Sequence, residues 1–163
     1  MMKTLKKDGA EISYRSEGEG PNILFIHNGG TSSTIWRYQV AELSSRYRTI
    51  VVDLPGFGSA ARGPVASDRD TQVGLLGAVL DELRVDDVCV VGNCMGSNLA
   101  VGLAESRPEM VRALVLINPL TEQTFTHGWL GVFHSMKRYV PWLTRIVHTV
   151  VRRFVPPKPA AIT

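Results

Sequence analysis

Four short apolar and β-branched runs recur along the chain, NILFIH at 22–27, RTIVVDL at 48–54, DDVCVVGN at 86–93 and VRALVLINP at 111–119, with helix-like stretches between them. A continuous apolar run of this length predicts a strand buried on both faces, which is the habit of a parallel sheet. Residues 68–84 place Val73, Leu76, Leu80 and Leu83 at the 3-4-3 spacing of an amphipathic helix. Asp68 and Asp70 stand near its start, where a helix favours negative charge. Met95–Ser106 is helical in composition and is closed by Arg107-Pro108, since the residue before a proline is pushed out of the helical region. After Gly29 and Gly30, the hydroxyls at 31–33 predict caps for a helix of about ten residues, with Ile35, Val40 and Leu43 facing a core. Strand and helix therefore alternate from residue 22 onward. That order predicts βαβ crossovers, an α/β class, and a mostly parallel sheet with helices on both faces. Ahead of it, residues 3–17 read as two short strands around Asp8-Gly9, a dipeptide suited to a tight hairpin turn.

Composition supports one globular domain: 163 residues, 44% apolar and 20% charged, enough to bury a sizeable core. The net charge of +3 hides two regimes. Residues 1–122 carry 12 Lys/Arg against 15 Asp/Glu, whereas residues 123–163 carry 6 against none. A basic tail of this kind could approach an anionic membrane or nucleic acid. The ordinary reading is a subdomain whose acidic partners lie elsewhere in sequence, and no nucleic-acid partner is expected. Cys89 and Cys94 lack CxxC spacing, so neither a zinc site nor a disulfide framework is predicted, and a reducing compartment fits. The N-terminus has lysines without an apolar core behind them, and no run of 18 apolar residues occurs, which predicts a soluble, cytoplasmic protein.

The sharpest chemical signal is Gly92-Asn93-Cys94-Met95-Gly96, set between a strand and a helix. Glycines two before and two after let strand and helix approach around a strained turn that pushes the central side chain out at the C-terminal edge of the sheet. The helix that follows aims its positive end and its backbone N–H groups at whatever forms on that side chain. A GxCxG motif by itself is more often a structural cysteine beside a turn. Here two further turns agree with it: His27-Asn28-Gly29-Gly30 ends an earlier strand, and Asp53-Leu54-Pro55-Gly56-Phe57-Gly58-Ser59 ends the one between. Open α/β sheets build their sites where such turns meet. Nothing in the sequence resembles a metal cluster, a phosphate-binding loop or a dinucleotide fingerprint, so no metal and no cofactor is expected.

These motifs, in this order, resemble the α/β-hydrolase fold family, particularly its esterase, epoxide-hydrolase and haloalkane-dehalogenase-like members, over about residues 10–120. The resemblance implies that His27, with Gly92 and Gly96, is structural around the site. It implies an oxyanion hole from Asn28, Gly29 and Met95, and Cys94 as the nucleophile. It divides the chain into residues 1–120, the N-terminal part of the hydrolase core with six strands, and residues 121–163, an incomplete helical lid. Most of the family carry serine at this elbow and the dehalogenase branch carries aspartate. A thiol that opened an epoxide or displaced a halide would be left as a thioether, which water does not cleave. A thiol that attacked an ester, lactone or thioester would form a thioester that turns over. Cysteine therefore argues for acyl hydrolysis or transfer on a small-molecule acyl substrate.

The family's triad runs nucleophile, acid, histidine, with the histidine after the last strand. The expectation here is that the general base is missing from the 163 residues and that turnover is low. Glu122 stands where some members keep the acid, but a loop glutamate has a simpler reading. His127, His134 and His148 fall in the lid-like stretch, where surface histidines are common. Cys89 alternates into the core, and Asp53 orders the turn after it. The rival reading is a non-catalytic truncated or pseudo-enzyme form that binds a ligand or partner, and a membrane surface is the other use open to residues 129–154. A bare sheet edge also allows a homodimer.

Overall fold

The computed structural model describes residues 1–61 and 68–119. The lid expected over 121–163, with Glu122 and the three later histidines, lies outside the described residues.

The chain opens with strand β1 (Lys3–Lys7) and β2 (Ala10–Glu17), paired antiparallel with Lys7 opposite Ala10. The two residues between them, Asp8 at φ 51° and Gly9 at φ 77°, both lie in the left-handed region, as a two-residue hairpin turn requires. β3 (Asn22–Ile26), β4 (Arg48–Asp53), β5 (Val88–Asn93) and β6 (Val111–Ile117) complete a six-stranded sheet in the order β1-β2-β4-β3-β5-β6. β3 pairs parallel with β4 on one side and with β5 on the other, and β5 pairs parallel with β6. β4 meets β2 antiparallel. The fold is thus a mostly parallel sheet. Because the chain leaves β3 for β4 and then returns past it to β5, the sheet has a switch point at the C-terminal ends of these three strands.

Strand alternation sends side chains to two separate cores. Leu24, Ile26, Ile50, Val52 and Val90 join one cluster with Val73, Leu76 and Leu80 of the helix Arg69–Glu82 and with Leu99 and Leu103 of the helix Met95–Ser106. Phe25 and Val51, one residue out of phase, join Trp36 and Val40 on the opposite face, where the Phe25 and Trp36 rings stand 5.2 Å apart. In chain order the helices are α1 (Arg37–Leu43), α2 (Arg69–Glu82) and α3 (Met95–Ser106), so α1 covers one face and α2 and α3 the other.

α2 begins as its sequence demands: the Asp68 carboxylate accepts the Thr71 N–H at 2.7 Å. Its far end is tied to α3 by Arg107, which donates to the Asp81 carboxylate at 2.8 Å. The buried Tyr14 hydroxyl donates to Glu82, joining β2 to α2, and burial followed by that carboxylate pushes the phenol up to about 12. The segment before α1 departs from expectation. In place of one capped helix of ten residues there is a 3-10 turn (Ser33–Trp36) followed by seven α-helical residues, and Ser32 makes no side-chain cap. The Ser32 hydroxyl pairs instead with the Thr34 hydroxyl at 2.8 Å, and the Ser33 N–H is taken by Asp53 at 2.7 Å.

β6 closes the described sheet, and Leu114, Val115, Leu116 and Ile117 are 37–46% exposed. Among the described residues no helix is long and apolar enough to cross a membrane.

Candidate active site

Parallel strands β4, β3 and β5 end side by side, and each end carries one of the motifs. His27 follows β3, Asp53 ends β4, and Cys94 follows β5.

Cys94 sits between β5 and α3 with φ 55° and ψ −109°. A non-glycine residue with positive φ is uncommon, and such a conformation costs on the order of 1–3 kcal/mol unless its surroundings enforce it. The enforcement is steric. A Cβ on Gly92 would overlap the Gly96 carbonyl, and a Cβ on Gly96 would overlap the Ile26 carbonyl at the end of β3. Only glycine at both positions allows α3 to start directly over the strand it leaves. The Cys94 N–H donates to the Ile117 carbonyl at 2.8 Å. Met95 opens α3, so its N–H has no carbonyl one turn back within the helix to bond.

His27 is fully buried. The Leu54 N–H, which can only donate, reaches Nε2 at 3.0 Å, so Nε2 is the acceptor. The proton therefore rests on Nδ1, which donates to the Asn28 carbonyl at 2.8 Å. Burial pushes the imidazole below its ordinary range, against smaller opposing effects of the Asn28 carbonyl and Asp53. With both nitrogens committed, His27 has no lone pair to offer the Cys94 thiol. The Asn28 carbonyl also receives the Thr31 hydroxyl at 3.0 Å, and that hydroxyl lies 2.8 Å from Asn28 Oδ1. In a trans peptide the C=O and the next N–H point opposite ways, so fixing the Asn28 carbonyl fixes the direction of the Gly29 N–H. Gly29 lies against the elbow: a Cβ there would stand 3.9 Å from the Met95 sulfur.

Asp53 does more than order the turn after it. Its buried carboxylate accepts the Ser33 N–H at 2.7 Å and the Ser59 N–H at 2.8 Å, anchoring the loops after both β3 and β4. Burial works to raise its pKa, but the backbone donors Ser59 and Ser33 outweigh it and hold the carboxyl below its ordinary range. Gly58, at φ 50°, is required because a Cβ there would overlap the Asp53 carboxylate. A cleft of about 540 Å³ lined by residues that include Arg15, Ser32, Arg37 and Asp53, but not Cys94, opens beside this anchor. Cys89 lies partly buried in β5, and burial pushes its thiol up. Among the described residues no group of three His, Cys, Asp or Glu could hold a metal.

Thr31 and Ser97 were not singled out by motif, yet both are bonded to the turns that carry it. Thr31 had a weak signal, a hydroxyl within the polar loop; Ser97, inside an apolar helix, had none.

A sequence model of the alpha/beta hydrolase fold matches residues 21–152. Epoxide hydrolase 2 of Siraitia grosvenorii is 37% identical over 115 residues, covering 69% of this chain and 36% of its own length. The 2-hydroxymuconate semialdehyde hydrolase of Pseudomonas sp. (strain CF600) is 35% identical over 141 residues, covering 80% of this chain and 50% of its own length. Among solved structures, Est816, an N-acyl homoserine lactone degrading enzyme, superposes with a TM-score of 0.69 at 25% identity, covering 88% of this chain and 63% of that one. The chain belongs to the α/β-hydrolase fold family. It spans between about a third and a half of the length of these two curated relatives.

Proposed function

We propose that the chain carries the nucleophile and oxyanion hole of a thiol-dependent acyl hydrolase or acyltransferase. The observation that carries the reading is Cys94 itself, a non-glycine residue at φ 55° between β5 and α3. In this reading the Cys94 thiolate attacks the carbonyl carbon of an ester, lactone or thioester. The Gly29 and Met95 N–H groups, with Asn28 shaping the loop, receive the charge that develops on the carbonyl oxygen. The bond from carbon to the leaving oxygen or sulfur then breaks, the leaving group takes up a proton, and a thioester remains on Cys94. Water or an acceptor resolves it and returns the thiol.

The likeness to Est816, which degrades a lactone, supports acyl chemistry. The 37% identity to an epoxide hydrolase does not bring epoxide chemistry with it, because alkylation of a thiol would end in a stable thioether. Mass spectrometry tests the proposal: an activated ester or acyl thioester should add one acyl group to the chain, mapped to Cys94 and absent in Cys94→Ser. Acylation elsewhere, or none, contradicts it.

The second reading is a non-catalytic binder. It draws on His27, whose two nitrogens are both committed, so that the one described imidazole at this site is not a base. Stoichiometric acylation without turnover in the 163-residue chain would fit it as well as a thiol enzyme short of its base, whereas catalytic turnover would exclude it.

A further inference from the structure

Ser97 lies three residues beyond the candidate nucleophile, fully buried, in the first turn of α3. A serine inside a helix ordinarily turns its hydroxyl to solvent or to the carbonyl four residues back. Ser97 does neither. Its hydroxyl reaches five residues back, across the elbow, to the Gly92 carbonyl at 2.8 Å, and sideways to the Ile117 carbonyl at 3.0 Å. One proton is shared between the strand that enters the elbow and the end of the neighbouring strand. The Ser97 N–H meanwhile donates to the Cys94 carbonyl at 3.0 Å. The Ile117 carbonyl also accepts the Cys94 N–H at 2.8 Å, so a single oxygen at the end of β6 holds the elbow at two points. A residue kept in a sparsely populated backbone region relaxes unless its surroundings over-determine it. These bonds do so from both sides of Cys94.

We propose that Ser97 is a positioning residue: through Gly92 and Ile117 it holds the strained Cys94 backbone in the geometry that presents the thiol. The proposal rests on the reading of Cys94 as nucleophile. Ser97 itself, with no exposed surface, is not a nucleophile. Its action is on the geometry of Cys94, and the bond network ties that geometry to the register of β6, an edge strand of the described sheet.

The test compares the intact chain with Ser97→Ala and Ser97→Thr, following alkylation of Cys94 by iodoacetamide between pH 5 and 9, with circular dichroism to confirm folding. Loss of fixed geometry at a reacting group lowers its rate steeply. Folded Ser97→Ala should label Cys94 more slowly, by on the order of tenfold at neutral pH, with a pH profile moved toward that in denaturant, and Ser97→Thr should recover most of the difference. A folded Ser97→Ala that labels like wild type at every pH overturns the proposal. If the variants do not fold, amide hydrogen exchange in the wild-type chain decides. Protection of the Cys94 N–H comparable with that of Val90 in β5 supports the pinned elbow, and exchange at the rate of an open peptide overturns it. Failure of the underlying reading shows up separately, as wild-type Cys94 labelling that denaturant does not slow.

Discussion

His27 and Asp53 hold the ends of β3 and β4 through groups that titrate, so the site's architecture should carry a pH signature. Both side chains have pKa values below their ordinary 6.5 and 3.8. In each case the unfolded chain binds the proton more readily than the folded one, so the stability contributed is complete above the ordinary value and is lost as pH falls toward the folded one. The first loss, below about pH 6.5, belongs to His27, because protonating Nε2 breaks its bond from the Leu54 N–H. The second, below about pH 4, belongs to Asp53. Urea unfolding of wild type should therefore show stability falling between pH 7 and 5. His27→Gln, which does not titrate, should be less stable at pH 7 but flat across that window. An equal slope in both proteins would contradict the assignment. At this scale the sequence was informative wherever a residue type is demanded by backbone geometry: Gly92, Gly96 and Cys94 announce a strained turn. It was silent on Ser97, because a serine among Leu99, Ala100 and Leu103 looks the same whether its hydroxyl meets solvent or a neighbouring strand.

Elements follow the same division between local and distant causes. The four apolar runs became β3 to β6 because each is apolar on both alternations, and the two cores lie on the two faces that alternation defines. α2 and α3 kept their expected extents, since an Asp68 cap and Arg107-Pro108 act within a few residues of the helix ends. The segment before α1 broke the pattern: the Ser32 hydroxyl pairs with the Thr34 hydroxyl instead of capping, and Asp53, twenty residues downstream, takes the Ser33 N–H, a bond no local signal encodes. The junction of β5 and α3 is where one element depends most on another. Gly96→Ala would drive a methyl group into the Ile26 backbone, which cannot give way as a flexible side chain would. It should cost about 3 kcal/mol, the upper end for overpacking. Thermal or urea denaturation would check this, and a loss under 1 kcal/mol would show that α3 does not press on β3 as closely as the geometry requires.

For the molecule as a whole, the sheet order turns three separated motifs into neighbours. His27, Asp53 and Cys94 lie far apart in sequence, and the return of the chain past β3 sets them at adjacent strand ends. The order of motifs foretold that gathering. The bonds that fix it, from Thr31, Leu54 and Ile117, appear only once the strands are laid side by side. The central claim is that this gathering presents Cys94 as a reactive thiol, and alkylation of the wild-type chain from pH 5 to 9, native and in denaturant, with Cys94→Ser to subtract Cys89, tests it most directly. The account predicts that native Cys94 labels faster than the same residue in denaturant. Labelling of native Cys94 no faster than in denaturant would contradict it.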